Sequence, residues 1–87
     1  MKKDPLQEFL DYLRHEKGCS TCTVRGYRID LRQMFEFLEK KDPQTIELQQ
    51  LRGYLSSLFG SIRPSSVARK LSAVKSFFRF LVKRGVL

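Results

Sequence analysis

Apolar residues recur at helical spacing along almost the whole of this 87-residue chain, and no alternating run is bounded by hairpin residues. That period predicts helices and nothing else. Leu6, Phe9, Leu10 and Leu13 fall at i, i+3, i+4 and i+7 behind Asp4, a good N-cap, and Pro5, which loses nothing at the first helical position. Gly18 closes that segment as a residue free to take positive φ. Ser20 caps a second helix, with Cys19 and Val24 placed as a hydrophobic staple and Val24, Tyr27, Leu31, Met34, Phe35 and Leu38 as its stripe.

Asp42-Pro43 breaks the second helix. A third runs from Thr45 or Glu47 to Phe59 and is expected to bury Leu48, Leu51, Leu55 and Leu58. The stretch 60–64 reads as a turn. A fourth, about five turns long, begins at Ser65 or Ser66 and ends near Arg84, with Gly85 beyond it. Its expected core stripe is Val67, Leu71, Val74, Phe78 and Leu81, with Phe77 beside it. Phe80 does not fit, since it projects among cations; it either packs under the first helix or contacts something outside the domain. The fold class is therefore all-α: a compact four-helix bundle with short connections.

A chain this short buries only about 60–65% of its extended surface on folding. That is enough for one core, not for a core with a deep catalytic cleft. No apolar run approaches the roughly 18–20 residues that span a bilayer, and the N-terminus has no signal-peptide core. The expectation is a cytoplasmic protein without a membrane partner.

The net charge of +8 is unevenly placed. Residues 1–50 hold nine basic and nine acidic side chains and sum to zero. Residues 51–87 hold Arg52, Arg63, Arg69, Lys70, Lys75, Arg79, Lys83 and Arg84 and no acid. Such asymmetry suits a surface that meets a polyanion. On the fourth helix Ser65, Arg69, Ser72, Lys75, Ser76, Arg79 and Lys83 project opposite the expected core stripe. Cations can meet phosphates or guanine edges there, while serines permit close approach and donate hydrogen bonds. A merely solvated face would mix in Glu for i, i+4 pairs, and this one has none. The second helix carries Arg25, Arg28 and Arg32 at i, i+3, i+7. Glu36 and Glu39 continue that stripe, so ordinary ion pairing explains it equally well. Thr23, in the first turn, can offer its hydroxyl and the helix N-terminus to a phosphate.

Two runs carry a family resemblance. Thr23-Val24-Arg25-Gly26-Tyr27-Arg28-Ile29-Asp30-Leu31 resembles a T-x-x-x-Y-x-x-D-L signature, and Ser66-Val67-Ala68-Arg69-Lys70-Leu71-Ser72-Ala73-Val74-Lys75 resembles S-x-x-R-x-L-S-A-x-[RK]. Together and in this order they look like the N-terminal core-binding domain of tyrosine recombinases and phage integrases, in particular the Xer-like branch. The resemblance covers nearly the whole chain. Gly26 replaces the commoner Ala or Ser, and Cys22 stands where a polar residue is more usual.

The resemblance implies a SAM-like helical domain forming half of a clamp on duplex DNA, its second and fourth helices towards the DNA. It places Thr23, Arg25 and Arg28 on one contact strip and Ser66, Arg69, Ser72 and Lys75 on the other. It further implies that residues 1–84 are the core-binding domain and 85–87 the start of a linker to a catalytic domain absent from this sequence. That domain and other protomers on DNA would be the protein partners. No catalytic residue, cofactor or metal is expected here. Tyr12, Tyr27 and Tyr54 fit helical patterns. Cys19-x-x-Cys22 lacks the βαβ context of a redox motif, and with His15 it supplies three zinc ligands at most. The alternative from another class is a helical protein-interaction module, favoured if a large apolar patch surrounds Phe80 and Phe37. A helix-turn-helix repressor would need a shorter recognition helix after a tight turn.

Overall fold

The computed structural model describes residues 4–39 and 42–85. Over these the chain forms α1 (Pro5–His15), α2 (Thr21–Leu38), a 3-10 turn (Pro43–Thr45), α3 (Leu48–Leu58) and α4 (Pro64–Lys83). No strand occurs among them. The all-α, four-helix expectation holds. Of the expected linker, only Gly85 falls within the described residues.

Local chemistry sets most of the helix ends. Asp4 Oδ1 accepts the Leu6 N–H at 3.2 Å, Ser20 Oγ accepts the Thr23 N–H at 3.2 Å, and Asp42 Oδ1 accepts the Gln44 N–H at 2.9 Å. Each satisfies a donor that the first turn leaves orphaned. Gly18 lies at φ +64° in the turn after α1 and Gly85 at φ +76° after α4. Helix α3 begins only at Leu48, where the Glu47 N–H donates to Gln50 Oε1 at 2.9 Å. Helix α4 begins at Pro64, earlier than the sequence pattern suggested. Pro64 is the first helical residue rather than the end of the turn, and its fixed φ suits that position.

Helix α2 packs against α1, α3 and α4, and α1 also lies on α4. Phe9 of α1 stands at the centre, with ring centroids 5.4 Å from Phe77 and 5.5 Å from Phe80. Tyr12 meets Phe80 at 5.0 Å. Phe80 is therefore a core residue under the first helix, resolving the ambiguity of the sequence in favour of packing. With it the buried face of α4 turns. Val67, Lys70, Ala73, Val74, Phe77, Phe80 and Leu81 are buried, while the expected Leu71 and Phe78 are only half-buried. In this rotation the aromatic face of α1 receives Phe77 and Phe80 together.

Helix α3 departs further. Leu48 is 63% exposed, Leu51, Leu55 and Leu58 are half-buried, and Tyr54 is the residue driven inward. Since α3 packs chiefly on α2, it can bury only a narrow face, and Tyr54 fills it beside the Phe37 ring, 5.2 Å away. Burial, and then the nearby charge of Asp30, raise the Tyr54 phenol above its usual value of 10.0.

Two outcomes follow from this packing. Phe80→Ala should cost about 3–5 kcal/mol in urea unfolding, as a large core truncation does, whereas Val82→Ala, on the exposed side, should stay within about 0.5 kcal/mol. A phenol whose pKa is higher folded than unfolded binds its proton more tightly in the folded state. The stability Tyr54 contributes is thus complete below pH 10.0 and lost as pH rises through the higher folded value. Unfolding titrations of Tyr54→Phe and the parent should show a smaller alkaline loss for the variant.

Candidate nucleic-acid interface

Helical spacing draws the polar residues of α4 into a line. Ser65, Arg69, Ser72, Ser76, Arg79 and Lys83 follow one another at steps of four and three, so they share one side of the helix. Lys75 stands roughly a quarter-turn to one side and Ser66 roughly a quarter-turn to the other. Ser65, Arg69, Ser72, Lys75, Arg79 and Lys83 are exposed, and Ser66 and Ser76 are half-buried. No carboxylate lies on this helix.

Arg69 is less free than its exposure suggests. Its Nε donates to Asp30 Oδ2 at 3.1 Å and its Nη2 to Asp30 Oδ1 at 3.0 Å. Lys70 Nζ donates to the same Oδ1 at 2.8 Å and also to Gln33 Oε1. The Asp30 carboxylate is fully buried, while the Arg69 side chain remains 55% exposed. Two of the five guanidinium N–H groups are therefore committed to α2, and the others, on Nη1 and Nη2, belong to a half-exposed side chain. The two signature runs meet in this contact, Asp30 from one and Arg69 from the other. In the sequence Asp30 stands out as a signature position and Lys70 as one of the basic residues, but nothing there marks the two as partners. A carboxylate and two cations some forty residues apart give no local signal that they will pair.

The strip on α2 is differently placed. Thr23, Arg25 and Arg28 are all exposed, and Thr23 Oγ1 lies 3.0 Å from Ser20 Oγ. At about 100° per residue, Arg28 and Arg32 leave α2 from nearly the opposite side to Asp30. Arg25 and Arg28 line a small hollow between α1 and α2 together with Arg14 and Gln7. Ser76 and Arg79 line another, about 210 Å³ in volume, with Lys17, Tyr27 and Lys83. The two hollows share no residue. The structure thus joins Arg25 to Arg28 and Ser76 to Arg79, but it does not merge the two strips into one continuous pocket. Arg14 was missed because it follows α1's apolar stripe as an ordinary solvated position.

Cys19 is half-buried and Cys22 exposed, both as free thiols. His15 lines a hollow with Glu8, Asp11 and Arg84, apart from both cysteines. Among the described residues no three His, Cys, Asp or Glu side chains are arranged to hold a metal ion. Tyr12 and Tyr27 are half-buried and Tyr54 buried. No described helix is long and apolar enough to cross a membrane.

The family pattern described as phage integrase, N-terminal SAM-like domain, matches residues 6–85. The chain belongs to this family. Among similar proteins are the tyrosine recombinases XerC of Chlorobaculum tepidum, 41% identical over 92% of this chain, and of Vibrio vulnificus, 40% identical over 98%. That of Thermodesulfovibrio yellowstonii is 35% identical over 94%. The chain spans only 27%, 28% and 27% of those relatives, respectively. No solved structure matches it. The resemblance read from the two signatures and the SAM-like four-helix architecture therefore stand together, and what matches is the N-terminal domain of a recombinase, not its catalytic part.

The Asp30 contact has a measurable consequence. Asp30→Ala strands the buried Lys70 ammonium and should destabilise the bundle by about 3–5 kcal/mol. Replacing Asp30 and Lys70 together by leucine should recover part of that loss in chemical denaturation, because no uncompensated charge then remains at the centre of the contact.

Proposed function

We propose that this chain binds duplex DNA as the N-terminal clamp domain of a site-specific tyrosine recombinase, acting in DNA integration or recombination. One observation carries the reading: the outward line of α4 bears Arg69, Arg79 and Lys83, with Lys75 beside it, and no acid. The contact set is Thr23, Arg25 and Arg28 on α2 and Ser65, Ser66, Arg69, Ser72, Lys75, Ser76 and Arg79 on α4. The cations meet phosphates or guanine edges, and the serines let the helix approach closely.

The domain contributes binding and no chemistry. Strand cleavage belongs to a catalytic domain of the same parent chain, with other recombinase protomers as further partners on DNA, in the cytoplasm. The membership of the family and the recombinases among its relatives support this reading. The alternative, a protein-interaction module, would draw on exposed apolar residues. Phe80 is buried and unavailable for that role, while Phe37 and Leu48 are exposed on the α2–α3 side.

Fluorescence anisotropy with a roughly 30-base-pair duplex tests the proposal. If about four to six phosphates are neutralised, log affinity should fall with log salt at a slope of about −4 to −5. Lys75→Ala and Arg79→Ala should each weaken binding while leaving the melting temperature unchanged. Arg69→Ala should weaken binding too, but with a lower melting temperature, since Asp30 then keeps only Lys70 and loses two hydrogen bonds. Absence of binding at low salt would reject the reading in favour of a protein partner.

A further inference from the structure

The hollow between the α1–α2 turn and the C-terminal half of α4 has a composition that the α4 strip alone does not explain. Arg79 and Lys83, one turn apart on α4, face Lys17 from the turn after α1 across a space of about 210 Å³. None of the three makes an ion pair with a described carboxylate, and among the described residues no acid lines the space. Beneath them lie the rings of Tyr27 and Phe80, and Cys19 forms part of the wall. Lys17, Arg79 and Lys83, all exposed and without a described counter-ion, share a solvent-screened repulsion. An anion entering the space relieves it.

Helix length indicates which anion. From Ser65 to Lys83 the line on α4 extends about 27 Å, whereas the major groove is only about 12 Å wide. The groove winds around the duplex, so a straight helix of this length lying in it departs from it towards its ends, and a departing end meets a phosphate strand. At the N-terminal end Arg69 is already committed to Asp30. Towards the C-terminal end Arg84 pairs with Glu16, but Arg79 and Lys83 make no ion pair with a described carboxylate.

We infer that this hollow is a phosphate pocket, in which Lys17, Arg79 and Lys83 hold one backbone phosphate of the bound duplex beyond the α4 strip. The inference rests on the DNA-binding reading and extends it to a turn of the chain, at Lys17, that neither signature contains. The pocket has room for a phosphate group and not for a duplex, so it fixes where the strand passes the end of α4. Phosphate contacts of this kind set register and orientation rather than sequence preference.

Two measurements on the 87-residue chain test it. In anisotropy titrations Lys17→Ala should weaken duplex binding several-fold and reduce the salt slope by about one. Arg52→Ala, which removes an equal charge from the exposed side of α3, should change neither appreciably. In a Cys22→Ser background, which leaves Cys19 as the single thiol, saturating duplex should slow iodoacetamide alkylation of Cys19. If Lys17→Ala matches Arg52→Ala while Lys75→Ala still weakens binding, the pocket is refuted and the DNA-binding reading survives. An unchanged Cys19 rate under saturating duplex also overturns the pocket, because Lys17 would then act from outside it. If the parent fails to bind duplex at low salt, both fall together.

Discussion

The buried carboxylate of Asp30 is the constraint on which the rest of this bundle depends. A carboxylate removed from water must have its charge and lone pairs answered, and here Arg69 and Lys70 supply both from α4. Adjacent residues point about 100° apart on a helix, so both cations reach one carboxylate only over a narrow range of α4 rotation. That rotation turns Lys70 inward beside Val67, Ala73 and Val74 and leaves Leu71 half-buried. It also carries Phe77 and Phe80 onto the aromatic face of α1. An ion pair of this kind adds little net stability over an apolar contact of the same shape, but misalignment leaves a charge stranded.

The same contact links architecture to surface. Arg69 is both a structural partner of Asp30 and the exposed cation nearest the N-terminal half of the α4 strip. Holding its Nε and Nη2 on a rigid acceptor reduces the freedom it must surrender when its outer edge meets an anion. Towards the C-terminal end Arg84 pairs with Glu16 at 3.5 Å, while Arg79 and Lys83 make no ion pair with a described carboxylate and line a hollow with Lys17. The strip is thus graded from a held cation at one end to cations without a described counter-ion at the other. Helix α3 takes no part in it. It rests on α2 through Tyr54 and leaves Leu48 and Phe59 to solvent.

Much of this was legible in the sequence, because it depends on neighbours along the chain. The caps at Asp4 and Ser20, the Gly18 turn and the four helical periods are local effects, and each appears where its residues predict it. The line of cations and serines on α4 is likewise a matter of spacing on one helix. The two signature runs identified the family for the same reason.

What the sequence determined by itself was therefore helix content, the caps at Asp4 and Ser20, and the concentration of unopposed positive charge in the last 37 residues. Only the tertiary structure decided which side of each helix faces inward. Leu48, Leu71 and Phe78 follow good helical periods yet remain partly or largely exposed, while Tyr54, Lys70 and Phe80 are buried. An apolar stripe broad enough to face inward at several rotations does not choose among them. The choice is made by partners distant in sequence: the Phe9 ring for Phe77 and Phe80, α2 for Tyr54, and the Asp30 carboxylate for Lys70.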